Sequence, residues 1–246
     1  MGHITALILA AGEGKRMKSD KAKVTHEICG KAMIEWVYEA ARGAGIEQCI
    51  AIVGHKAEQV KEYMGNRVDY VLQERQLGTG HAVQQAHEYI SGSDGSVVVL
   101  CGDVPLISSD TIRKAIEYMN SMGFKAVVIT ADFLDPHGYG RIVRDLQGNF
   151  ERIVEQRDAS EEEEAICEIN SGMYVFSSKE LEMALGLLTN DNAQMEYYLT
   201  DTLEILLTKG YSVGVYKVDD SNEVLGVNDR MQLEHISQII KKRKMQ

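Results

Sequence analysis

Apolar residues recur along this chain in two rhythms. Short continuous runs, ITALILA (4–10), CIAIVG (49–54), VDYVL (68–72) and SVVVLCGD (96–103), have the length and branched content of strands buried on both faces. Between them the spacing becomes helical. In KAMIEWVYEAARGAG (31–45), Met33, Val37, Ala40, Ala41 and Ala44 share one face and Gly45 ends the pattern; further helices are expected at 57–64, 80–90 and 109–122. Strands alternating with helices predict an α/β protein whose mostly parallel sheet is flanked by helices. Such sheets bind ligands beyond the carboxyl ends of their strands, where the segment LAAGEGKRM and the pair Gly102-Asp103 emerge.

The second half is less regular. A strand is expected over KAVVITADF (125–133), shorter alternating strands in GYGRIVRD and FERIVEQRD, and another strand over INSGMYVF (169–176). Helices near 179–188 and 196–209 precede a strand over YSVGVYKV (211–218). The last helix, from Asp229 to about Lys244, shows no packing partner in its pattern, and Glu161 to Glu164 reads as a solvated loop. No Pro/Ser-rich linker divides the halves, which implies one domain with a smaller substrate lobe.

A chain of 246 residues, 44% hydrophobic and 26% charged, can bury a substantial core, and it has no apolar run of the roughly 18 residues that a membrane span needs. The amino terminus lacks the basic, apolar and small-residue regions of a secretory signal, so the expected location is the cytoplasm. Cys29, Cys49, Cys101 and Cys167 form no C-x-x-C pair and are expected to be free thiols. A net charge of −11 argues against nucleic acid as a partner. Within residues 13–23, however, Lys15, Arg16, Lys18, Lys21 and Lys23 outnumber Glu13 and Asp20, a local +3 suited to a small polyanion.

The stretch LILAAGEGKRM (7–17) is therefore the first candidate for chemistry. It is not a Walker loop, because Arg16 follows Lys15 where serine or threonine is needed, and Met17 stands where a dinucleotide fingerprint needs its third glycine. A plain tight turn would explain the glycines but not the bases. What remains is a glycine-permitted loop that wraps a nucleoside triphosphate with backbone N–H groups and basic side chains.

With QERQLGTGHA (73–82), GDVPLI (102–107), GYGRIV (138–143), EINSG (168–172), NAQMEYYLTD (192–201) and GVNDR (226–230), that stretch resembles the sugar-nucleotide pyrophosphorylases. More narrowly, the seven segments resemble the uridyltransferase domain of the bacterial bifunctional N-acetylglucosamine-1-phosphate uridyltransferase/glucosamine-1-phosphate acetyltransferases, from about residue 4 to the last helix. The resemblance implies a Rossmann-like nucleotidyltransferase fold with a smaller mixed sugar-binding lobe over residues 1–228. Residues 229–246 would begin the family's linker helix, with no acetyltransferase β-helix repeats following.

The implied reaction is Mg²⁺-dependent uridylyl transfer from UTP to N-acetylglucosamine 1-phosphate, giving UDP-N-acetylglucosamine for cell-wall precursors and pyrophosphate. By the same resemblance Asp103 and Asn228 hold Mg²⁺, a hard ion that keeps waters and takes one or two protein oxygens besides phosphates. Arg16 and Lys23 stabilise the leaving pyrophosphate, with Lys15 a weaker helper. Ala10, Ala11, Gly12, Gly14, Gln73, Gln76, Gly78 and Thr79 contact the nucleotide; Gly140, Glu155, Asn170, Glu196, Tyr198 and Thr200 contact the sugar phosphate.

Read without the resemblance, Asp103 is a turn aspartate, Asn228 a helix cap, Glu155 a solvent-facing strand residue, and GYGRI a hairpin with a glycine bulge. The chain departs from the family at Lys15, Ala22, Cys101 and Met195, where threonine, proline, tyrosine and glycine are common. Two other functions stay open: a related nucleotidyltransferase using another nucleotide or acceptor, and a non-catalytic nucleotide-sugar sensor. The sequence leaves the oligomeric state open.

Overall fold

A computed structural model describes residues 3–243. The expectation for Lys244 lies outside those residues. Eleven strands and nine α-helices follow in order: β1 (Ile4–Ala10), β2 (Glu27–Ile28), β3 (Lys31–Ala32), α1 (Met33–Gly43), β4 (Gln48–Val53), α2 (Ala57–Met64), β5 (Asp69–Leu72), α3 (Thr79–Gln85), α4 (His87–Ile90), β6 (Ser96–Cys101) and α5 (Ser109–Met122) among the described residues. The second half supplies β7 (Ala126–Asp132), β8 (Gly140–Arg144), β9 (Phe150–Val154), α6 (Glu161–Glu164), β10 (Glu168–Ser177), α7 (Ser178–Leu185), α8 (Asp201–Thr208), β11 (Val213–Lys217) and α9 (Arg230–Arg243).

The main sheet has the order β11-β7-β10-β6-β1-β4-β5, with the β8–β9 hairpin attached to β10. Strands β4, β1, β6 and β5 are parallel, whereas β10 runs antiparallel to β6, β7 and β8. The second half therefore extends the first half's sheet, and only the hairpin projects as a lobe.

The continuous apolar strands are explained by two cores. Along β1, Ala6, Ile8 and Ala10 enter one cluster while Leu7 enters the other; along β6, Val98 and Leu100 oppose Val97 and Val99 in the same way. Successive side chains point to opposite faces, so a strand covered on both sides must be apolar throughout. The register pairs Leu9 with Cys101 and Ala10 with Val53, so β1, β4 and β6 end level and their exit loops share one edge.

Several expected elements take other forms. The helix over 80–90 breaks at Ala86 (φ −87°, ψ 20°), and the helix over 196–209 begins only at Asp201. Residues 196–200 spend their backbone groups elsewhere: Tyr197 N–H donates to the Leu77 carbonyl and Gly80 N–H to the Tyr197 carbonyl, each at 2.8 Å. The acidic run 161–164 is not a loop but a helical turn closed by the reciprocal Ser160–Glu163 capping box, with Glu163 paired to Arg152. The last helix has partners after all, since its buried Ile236 and Ile240 pack with Met17, Ile28 and Met33. All four cysteines are free. Among the described residues no helix is long and apolar enough to cross a membrane.

Candidate active site

At the carboxyl end of β1 the chain curls through a tight loop. Gly14 is left-handed (φ 62°), Lys15–Met17 make one 3₁₀ turn, and Met17 N–H returns to the Gly14 carbonyl at 2.9 Å. Only glycine fits at 14, because a Cβ there would sit 2.7 Å from the Lys23 Cβ in a backbone region that side chains disfavour. The loop is pinned from both flanks. On one, buried Met17 is held against α9, whose Arg230 donates to the Met17 and Lys18 carbonyls at 3.3 and 3.2 Å. On the other, the Gln59 carboxamide of α2 accepts from Ala22 N–H (2.6 Å) and donates to the Asp20 carbonyl (3.0 Å), and Lys56 donates to the Ser19 carbonyl (3.2 Å).

This framing delivers Lys23 to two oxygens remote in sequence. Its ammonium donates to Asp103 Oδ2 at 2.5 Å and to Asn228 Oδ1 at 2.9 Å. The oxygens are brought together by backbone, since Val227 N–H donates to the Asp103 carbonyl at 2.9 Å. Asn228 is not the cap of α9: Asp229 accepts from Gln232 N–H (2.9 Å), while Gln232 Oε1 accepts from Asn228 N–H (2.7 Å). The Asn228 side chain is thus free to serve the site. A carboxylate and a carboxamide oxygen converging on one cation are a donor set suited to Mg²⁺. Among the described residues no cluster of three or more His, Cys, Asp or Glu side chains could hold a metal, so other ligands would have to come from phosphate and water.

Three cavities meet at this edge of the sheet. The first, about 340 Å³, is lined by Ala10, Ala11, Gly12, Gln73, Gln76, Gly78, Thr79, Lys23, Asp103 and Glu196 among others. A second of about 210 Å³ adjoins it across Leu9, Thr79 and Cys101, and is walled by Tyr139, Gly140, Glu155, Asn170 and Thr200. The third, about 220 Å³, holds Glu13, Gly14, Lys15, Arg16, Lys23 and Asn228. Lys23 lines both the first and the third. Of the residues singled out from the sequence, Ala10, Ala11, Gly12, Gln73, Gln76, Gly78 and Thr79 line the first cavity, Gly140, Glu155, Asn170 and Thr200 the second, Gly14 and Arg16 the third, and Lys23 both the first and the third.

Two stand elsewhere. Glu196 faces the first chamber, not the one with Asn170, and Tyr198 lines neither: it is buried, its hydroxyl accepting from Gln194 Nε2 at 2.6 Å. Their segment is tethered to the 73–80 loop, which draws Glu196 to the first chamber. At that loop Gly78 (φ 110°) lets the backbone pass Tyr197, whose carbonyl oxygen would lie 2.5 Å from any Cβ.

The polar atoms left over indicate what each chamber can bind. Gln73 is buried, its Nε2 donating to the Gly78 carbonyl (3.0 Å) and contacting His81 Nδ1 (3.1 Å); its Oε1 receives no hydrogen bond among the described residues. Asn170 Oδ1 accepts from Gly172 N–H and the Tyr174 hydroxyl, both 3.0 Å, which orients its amide N–H groups. Glu155 is not a solvent-facing strand residue. Burial, then Asp158 and Asp201, push its carboxyl above the usual range. The thiol of Cys101, between the two chambers, donates to the Gly172 carbonyl at 3.3 Å, and burial keeps it neutral. The sequence pattern does not single out Gln59 or Tyr139, although Tyr139 lies inside GYGRI, and it assigns no role to His81, inside QERQLGTGHA.

The sequence profile of the MobA-like NTP transferase domain matches residues 6–180. The chain belongs to this family. It is 56% identical to the bifunctional protein GlmU of Acetivibrio thermocellus over 98% of its own length and 52% of that protein. It is 50% identical to the GlmU of Caldanaerobacter subterraneus subsp. tengcongensis over 99% and 53%. The chain therefore spans about half the length of these curated relatives. A Bacillus anthracis structure with bound sucrose, provisionally described as a glucose-1-phosphate thymidylyltransferase, superposes with a TM-score of 0.76 at 19% identity over 96% of this chain and 94% of that one, which shows a shared fold.

Two features beyond the matched residues yield predictions. Met195 is left-handed (φ 54°), a conformation that favours glycine, and its side chain is largely exposed. Met195→Gly is expected to raise stability by up to about 1 kcal/mol, because the strain of a side chain there exceeds what little the exposed side chain contributes. A lower urea midpoint would reject this. Asp201, in the first turn of α8, has its carboxyl pushed up to about 6 by burial and by Glu204 and Asp158. A raised carboxyl favours the protonated folded form, so the cost of the charge is absent near pH 4 and complete above pH 6. Asp201→Asn should therefore be the more stable protein at pH 8, by about 1 kcal/mol after discounting for partial exposure and the favourable helix terminus. Denaturation at pH 8 and pH 4 checks it; a gap that does not close on acidification counts against the assignment.

Proposed function

We propose that the chain catalyses Mg²⁺-dependent uridylyl transfer from UTP to N-acetylglucosamine 1-phosphate, releasing pyrophosphate. The observation that carries this reading is the junction of three chambers at the ends of β1 and β6, with Lys23 shared between the first and the phosphate loop. The chamber containing Gln73 would take the base and ribose. Its free Oε1 suits the N3–H of uracil, beside the Gly78-Thr79 backbone. The chamber with Asn170 and Glu155 offers an amide donor and a carboxyl acceptor to sugar hydroxyls. The third holds three bases against Glu13 and would receive the β- and γ-phosphates.

A phosphate oxygen of the acceptor attacks the α-phosphorus as the bond to the bridging oxygen of pyrophosphate breaks. The attacking phosphate is already ionised at neutral pH, so no general base is needed, and the work of the protein is alignment and charge neutralisation. Arg16 and Lys23 meet the negative charge that builds on the leaving group. Mg²⁺, held through Asp103 and Asn228, would supply further neutralisation of the triphosphate.

The test is pyrophosphate release from UTP with N-acetylglucosamine 1-phosphate and Mg²⁺, beside ATP, CTP, GTP and dTTP. Release confined to UTP supports the reading. Release with another triphosphate moves the protein to a sister transferase, and uridine-nucleotide binding without release makes it a sensor.

A further inference from the structure

The cation that joins Asp103 to Asn228 is a side chain of the protein itself. We propose that Lys23 is a displaceable resident cation at this pair: a divalent ion enters by exchange with its ammonium, which is thereby released to the phosphates of the bound nucleotide. The proposal rests on the reading of Asp103 and Asn228 as the Mg²⁺ ligands.

Three observations support exchange over a permanent ion pair. First, the two oxygens do not depend on Lys23 for their proximity, because the backbone bond from Val227 to Asp103 and the Gln232 contact on Asn228 N–H hold their segments together. Second, the Lys23 backbone is fixed independently, by Gln59 on the preceding residue and by the Thr25 hydroxyl on the Ala22 carbonyl at 2.9 Å. Departure of the ammonium therefore needs only rotation about the side chain's own bonds. Third, Lys23 borders the phosphate chamber as well as the nucleotide chamber, so its ammonium has an anion-binding space to move into. The neighbouring base Lys15 is instead paired with Glu13 at 2.5 Å.

The reason for such an arrangement is electrostatic. The Lys23 and Asp103 side chains are only 14% and 24% exposed, and a carboxylate so enclosed is costly without a counter-charge. The ammonium meets that need before substrate arrives. It also opposes a divalent ion, since two cations cannot occupy the same pair of oxygens. A triphosphate relieves the conflict by giving Lys23 a new partner and the metal additional oxygens. Nucleotide and divalent ion should therefore bind cooperatively, with weak metal binding to the free protein.

Mn²⁺ titration followed by the electron paramagnetic resonance of the free ion tests this, with and without a non-hydrolysable UTP analogue. Lys23→Met is expected to bind Mn²⁺ at least about tenfold more tightly than the wild type without nucleotide, and to lose most of the enhancement that the analogue brings. Lys23→Gln serves as the second variant. Unchanged or weaker Mn²⁺ binding in a folded Lys23 variant, with binding still abolished in Asp103→Asn, overturns the exchange and leaves the metal reading standing. No Mn²⁺ binding by the wild type even with the analogue overturns both. In the wild type without nucleotide, Mg²⁺ at concentrations high enough to saturate the weak site should increase amine labelling of Lys23 in peptide maps several-fold, and labelling indifferent to saturating Mg²⁺ also overturns the exchange.

Discussion

Replacing Asp103 by asparagine is expected to reduce pyrophosphate release by about 10³-fold or more, the scale on which single charge-stabilising groups act in transferases. The exchange keeps size and shape, and the backbone carbonyl that accepts from Val227 N–H is untouched. What disappears is the one charge facing Lys23 at 2.5 Å, on a side chain that is largely enclosed. The loss should fall on kcat, since the base and sugar chambers are lined mostly by other residues. A melting temperature measured in parallel separates chemistry from folding: an enclosed ammonium without its carboxylate should lower it measurably. Asp103→Asn with near-normal turnover would remove Asp103 from the reaction.

Arg16→Ala should have the next largest effect, a fall of about 10² in kcat with little change in the KM for either substrate, if its guanidinium engages the leaving group as charge develops. Its neighbour is the internal control. Lys15 shares the same chamber but is already bound to Glu13, so Lys15→Ala should cost much less. Both side chains are exposed in the free protein, so neither substitution should alter stability. Kinetics with both substrates varied gives the answer; equal losses for the two variants would mean that the loop contributes diffuse charge and not a specific contact.

Much of this was legible beforehand. Apolar runs without polar interruption announced strands covered on both faces, and the alternation with helices announced a parallel order for β1, β4, β5 and β6. Segments with unusual glycine and base content marked the exit loops. Local patterns failed where backbone hydrogen bonds were taken by another segment, as at 196–200, and where a short acidic run found a cap of its own in Ser160. Helical spacing at the end of the chain showed an apolar stripe but not its partner, because Met17 lies more than two hundred positions away.

The sequence by itself determined the α/β class, which loops follow the strands' carboxyl ends, and which residue types could meet phosphate, because periodicity and charge are properties of neighbouring positions. Only the tertiary structure decided that Lys23 sits between Asp103 and Asn228, that Gln59 and Arg230 fix the loop from opposite sides, and that Glu196 faces the first chamber. Those are distances between groups separated by up to 212 positions, and they follow from how the sheet's register and the packing of α2 and α9 bring remote segments to one edge.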